Sequence, residues 1–225
     1  MAADLIIGGT QALSLNGIVS GLGAGLIKNG TAALSLGGAN TYTGNTSLNA
    51  GSLIVGSNTA LGAGGTLSTA AGTTLDASTA VTLANAANIT GNLSIGGTAD
   101  LTLGGLVGGS GGLTKNGTAK LILNGANTFL SGVTLNAGTL TAGNNAALGV
   151  GNLTVSGAAT LDSNTNVTLG NDVALNADLS VAGSNALTLG GVLAGTGQSI
   201  KNGAANLTLN GVNTYSGVKG TTAAV

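Results

Sequence analysis

Residues 112–140 read GLTKNGTAKLILNGANTFLSGVTLNAGTL, and the same sentence recurs twice. Residues 25–53 read GLIKNGTAALSLGGANTYTGNTSLNAGSL, and 198–217 read QSIKNGAANLTLNGVNTYSG. Lys28, Lys115 and Lys201 share one place in this repeat, 87 and 86 residues apart, and Tyr42, Phe129 and Tyr215 share another at the same offsets. These three rings are the only aromatics in 225 residues. Outside the motif, Leu75-Asp76 returns as Leu161-Asp162, and Val81-Thr82-Leu83 as Val167-Thr168-Leu169. The offset slips by one residue only in glycine-rich stretches, while the apolar-x-apolar triplets keep phase. A pleated core demands this, because a one-residue slip turns every side chain of a strand to the wrong face.

Fixed-period self-similarity is the signature of a stacked repeat architecture. Triplets such as 34–36, 53–55, 93–95 and 101–103 stand too close together for intervening helices. Glycine costs about 1 kcal/mol per helical position, and Thr, Val and Asn are mediocre helix formers. Short Leu/Val/Ile/Thr strands punctuated by Gly and Asn turns fit instead. The reading is all-β, a right-handed parallel β-helix (β-solenoid) of about ten rungs, each of three short strands and about 20 residues. It forms a single solenoid over 1–225, with units near 11–98, 99–184 and a partial 185–225. An up-and-down barrel or sandwich is the runner-up, but it wants wider strands and more aromatic filling.

The composition narrows the function. The chain is 43% hydrophobic and 5% charged, has a net charge of −1, and lacks Pro, Cys, His, Trp, Arg and Glu. That balance supports a packed core, not disorder. It gives no cationic cluster to neutralise phosphates, so no nucleic acid is expected. The absence of Cys removes disulfides and thiolate metal sites. The start, Met1-Ala2-Ala3-Asp4-Leu5, has neither a basic n-region nor a long apolar h-region, so no signal peptide is expected in this chain. No apolar run reaches about 18 residues, so no membrane insertion by a helix is expected either.

The unit L-T-K-N-G-x-x-x-L-x-L-x-G-A-N-T-[FY]-x-x-G-x-x-x-x-x-A-G-x-L resembles the autotransporter-associated β-strand repeat of bacterial autotransporter passengers. Two full copies (25–53, 112–140) and a truncated third (198–217) carry it, and the segments between resemble the filler rungs of such passengers. The resemblance implies a right-handed parallel β-helix, export through the outer membrane, and display at the cell surface or outside the cell. It implies a rigid passenger stalk or adhesin segment. A self-assembling subunit of an extracellular filament or surface layer is the alternative. Expected partners are other copies stacked end to end, or other surface proteins and matrix.

Individual positions carry mostly structural expectations. The Asn-Gly pairs, among them those at Asn29, Asn116 and Asn202, read as tight turns tolerant of positive φ, with Asn ladders inside the corner. Tyr42, Phe129 and Tyr215 read as corner filling over a sugar-binding platform, with the hydroxyl dispensable because Phe129 lacks it. Asp76 and Asp162 read as solvated turn residues or as carboxylates bonded to backbone. Calcium wants several carboxylates, and only six Asp exist, so no metal is expected. The three repeat lysines read as an exposed, sparse positive line along one corner, about 20 Å apart, that serves solubility. Leu34, Leu36, Leu121, Leu123, Leu207 and Leu209 are expected to face inward. With no acid–base pair at a working spacing, neither an enzyme nor a cofactor is expected. Ice binding fits poorly, since Thr82, Thr102 and Thr168 stand in single file.

Overall fold

The computed structural model describes residues 3–217 and 219–221. Residues 1–2 and 222–225, on which parts of the expectations about a signal sequence and end-to-end stacking fall, lie outside the described residues. Those described form 27 short strands and no helix, all paired in parallel.

The strands collect into three faces of a prism. The first face holds six strands, from Leu5–Ile7 to Val107–Gly108, and resumes as three more from Val167–Leu169 to Leu207–Leu209. The second is a ladder of ten strands from Leu13–Leu15 to Leu193–Gly195, and the third holds eight from Val81–Leu83 to Lys219–Thr221. Pairing partners sit one rung apart. Leu101 pairs with Leu121 and Val167 with Leu187, both at the full rung spacing. The step shortens to 19 between Leu34 and Leu53 and lengthens to 22 between Leu53 and Leu75. All-parallel pairing at about 20 residues per turn is the solenoid read from the repeat, and it leaves no room for the barrel.

In most of the three-residue strands the first and last residues point inward and the middle one outward. Leu34 and Leu36 flank an outward Ser35, and Leu121 and Leu123 flank Ile122; all four leucines are fully buried. Leu207 and Leu209 are partly buried against the same core. Inward leucines of successive rungs stack into one continuous core, and each fully buried Leu stabilises the fold by roughly 1.5–3 kcal/mol.

The rung length does not divide the unit length. Each unit makes about four and one-third turns, so its features return one face further round. Lys28 lies on the first face, Lys115 on the second and Lys201 on the third. The expected single line of lysines along one corner is therefore incorrect. The faces break in a matching order. The third face is crossed without a strand at 37–45 and 56–66, the first at 124–132 and 143–152, and the second at 210–217. Tyr42, Phe129 and Tyr215 each lie in such a gap.

Candidate functional site

The unit motif builds one corner, and its lysine is the part the sequence misplaces. Lys28 is 2% exposed and Lys115 is fully buried, so the expectation of an exposed line is overturned for both. Both take an inward strand position: Lys115 occupies the place held by Ile95 one rung below and Leu135 one rung above. The stem fills core volume and the ammonium turns into the corner. Lys115 Nζ donates to the carbonyls of Asn116 (2.6 Å), Gly117 (2.7 Å) and Ala137 (3.4 Å), tying two rungs. Lys28 Nζ donates to Gly30 O and to Ala50 O at 3.1 Å, and Lys201 Nζ to Asn202 O and Gly203 O, both at 2.7 Å. A charged donor fits here because a chain turning sharply exposes several carbonyls to one point, and an ammonium brings three donors to it. Burial lowers the pKa of Lys28 and of Lys115; for Lys115, Asp100 and then Asp76 pull it back up.

Asp76 precedes Lys115 by the same interval as Asp162 precedes Lys201. Asp76 Oδ1 accepts the N–H of Ala77, Gly97 and Thr98, and Oδ2 accepts the Thr98 hydroxyl at 2.5 Å. Burial alone would raise its pKa; the bonds from Thr98, Ala77 and Gly97 outweigh that and lower it. Asp162 holds Ser184 through N–H (3.4 Å) and hydroxyl (2.8 Å). The Asp of one unit thus seats the turn that lies directly beneath the lysine opening the next unit. These carboxylate oxygens are occupied by protein donors, and among the described residues no three of His, Cys, Asp or Glu gather to hold a metal ion.

The aromatics plug the gaps. Tyr42 and Phe129 are fully buried and Tyr215 is 9% exposed. The Tyr42 hydroxyl bonds Thr46 Oγ1 at 2.6 Å. In the next unit Phe129 and Val133 stand at the equivalent places, so ring and partner change polarity together. A one-turn cap closes over Tyr42 and another over Phe129. Their Gly62 (φ +73°) and Gly149 (φ +66°) lie flat on the aromatic, where a Cβ would stand 2.8 Å from a ring carbon.

Sequence reasoning overlooked Asn40, Asn127 and Asn213, the Asn of the A-N-T-[FY] stretch and its third-copy form. Asn127 Oδ1 accepts Val107 N–H from the rung below (2.8 Å) while Nδ2 donates to Ala147 O above (2.7 Å). Asn40 repeats both bonds, to Val19 and Ala60, and Asn213 accepts from Leu193. Their signal was present: a polar residue invariant across three copies beside the buried ring. Of the Asn-Gly pairs, Asn116-Gly117 and Asn202-Gly203 carry the expected positive φ on their glycine (+66° and +75°). Asn side chains do ladder between rungs, Asn49 to Asn29 and Asn136 to Asn116 (2.8 and 2.7 Å), at exposed or half-buried positions and not inside the corner.

An open groove of about 430 Å³ crosses the third face, lined by Thr139, Thr160, Asp178, Ser180 and Ile200 among others. Its single carboxylate accepts the Gln198 N–H at 3.0 Å. One carboxylate among hydroxyls offers hydrogen bonding but no paired acid and base.

Three stretches of the chain, 26–55, 113–142 and 200–223, match the family described as passenger-associated-transport-repeat. They coincide with the three copies of the lysine–aromatic motif. No curated protein and no solved structure matches the chain.

Proposed function

With three passenger-associated transport repeats in the chain, we propose that it is a rigid β-helical stalk or adhesin segment of a secreted or surface-displayed autotransporter-like protein. The observation that carries this reading is the parallel ladder whose corners are locked by their own side chains. Lys115, Asp76 and Asn127 each bridge adjacent rungs, and their counterparts recur in the other units. Such bridging commits the polar side chains to stiffness, and repeat arrays of this kind are stabilised rung by rung through nearest neighbours. The reading assigns no catalysis to the chain.

The test has two arms. Small-angle scattering of the purified chain should give a straight rod about 50 Å long, from about ten rungs at about 4.8 Å each. Beads coated with the chain should then adhere to cells or matrix if the segment is adhesive, and stay inert if it is a spacer. A compact sphere in the first arm contradicts the proposal in either form.

A further inference from the structure

Ile18, Leu106 and Val192 occupy one place in the repeat, 88 and 86 residues apart, immediately ahead of Val19, Val107 and Leu193. All three are exposed, at 68, 48 and 36%. Single surface aliphatics need no explanation. An aliphatic kept outward at the same place in every unit, on a surface made mostly of Gly, Ala, Ser, Thr and Asn, does. Each one follows a glycine: Gly17, Gly105 or Gly191. The last two pack flat on the rung below, where a Cβ on Gly105 would stand 2.4 Å from Asn85 O, and one on Gly191 2.3 Å from Asn171 O. Gly38, Gly125 and Gly211 continue the three steps one rung up. Every unit therefore carries a protruding aliphatic beside a side-chain-free step. Because a unit makes about four and one-third turns, Ile18, Leu106 and Val192 fall on three different corners of the prism, about 21 Å apart along the axis.

We propose that these corners are lateral contacts between copies of this chain, the aliphatic of one rod seating on the glycine step of another. The proposal goes beyond the stalk reading and differs from end-to-end stacking. A second copy is the occupant that fits, for two reasons. Its own steps recur with the same axial spacing and the same one-third turn, which a partner of another design would have to match independently. The surface also carries little charge to resist it: the net charge is −1, and Lys28 and Lys115 are withdrawn into the core. Near-zero net charge favours association. Contacts on three corners at one-third turns lead to bundles with neighbours in three directions, not to flat pairs.

The experiment is small-angle scattering of the chain over a concentration series, reading the cross-sectional radius separately from the length, with Ile18→Lys/Leu106→Lys/Val192→Lys as the variant. The wild type should thicken with concentration. The triple variant should remain a single rod with an unchanged circular-dichroism spectrum. Ile18→Thr/Leu106→Thr/Val192→Thr serves if the lysine variant fails to fold, with the midpoint concentration for thickening raised at least tenfold. A wild type that never thickens, one that lengthens at constant cross-section, or thickening that both variants retain overturns the proposal. None of these outcomes alters the rod dimensions of the single chain on which the stalk reading rests.

Discussion

Lys115 is the residue whose substitution separates a locked corner from an ornamental one. Its ammonium serves three carbonyls across two rungs, and its stem fills a core place flanked by Ile95 and Leu135. Hydrogen bonds to a charged group contribute about 1.5–3 kcal/mol each. The cost of desolvating the ammonium takes back a large part of that sum. Lys115→Met keeps most of the stem and strands the carbonyls, so it should cost about 2 kcal/mol, the middle of the range for an unsatisfied buried group. Lys115→Ala adds a cavity and should cost about 3–4 kcal/mol. Lys120→Ala, on a half-buried outward position of the following strand, should stay within about 0.5 kcal/mol. Guanidinium denaturation followed by far-UV circular dichroism measures all three. If Lys115→Ala is as mild as Lys120→Ala, the ammonium is not holding the corner and the reasoning fails.

Three further outcomes follow from the same geometry. Tyr42→Phe should cost about 1–2 kcal/mol by stranding the buried Thr46 hydroxyl, and adding Thr46→Val should recover much of it by recreating the Phe129–Val133 pair; a strictly additive double mutant would contradict the coupling. Asn127→Ala should cost about 2–3 kcal/mol, because it leaves Val107 N–H and Ala147 O unpaired in the interior, and a loss below about 0.5 kcal/mol would deny the bridge. Asp76 has a folded pKa below its ordinary 3.8, so the unfolded chain binds more protons between the two values. Its stabilisation is complete above the ordinary value and fades as pH falls through the folded one. Urea midpoints across that window should drop for the wild type and stay flatter for Asp76→Asn; parallel slopes would refute the assignment.

The solenoid is legible in the sequence because its cause is periodic. Leu34 and Leu36, Leu121 and Leu123 keep phase from unit to unit, and a parallel stack with about 20 residues per turn satisfies that pattern. The orientation of the lysines is not legible by the same rule. A Lys following an apolar-x pair, as in Leu113-Thr114-Lys115, holds the inward phase of its strand, yet charge argues for solvent. The carbonyl cluster that decides the matter comes partly from Ala137, 22 residues on, and no local pattern announces it. The one-third rotation follows from the unit length divided by the rung length of about 20 residues, two quantities the sequence carries separately and the strand pairing joins. The partner of Tyr42 does leave a trace, since Thr46 becomes Val133 where Tyr becomes Phe. Two buried hydroxyls, Thr69 and Thr141, make no hydrogen bond, and nothing in the structure explains them.

The central claim is that residues distant in sequence lie in straight files along one face. Ser94, Thr114, Thr134, Thr154, Ala174 and Ala194 form such a file on the second face, one residue per rung. Spin labels at Ser94→Cys and Ala194→Cys are five rungs apart, so pulsed electron paramagnetic resonance should give one narrow distance, about 24 Å between backbones. A broad distribution, or a mean far from that value, would contradict the solenoid itself.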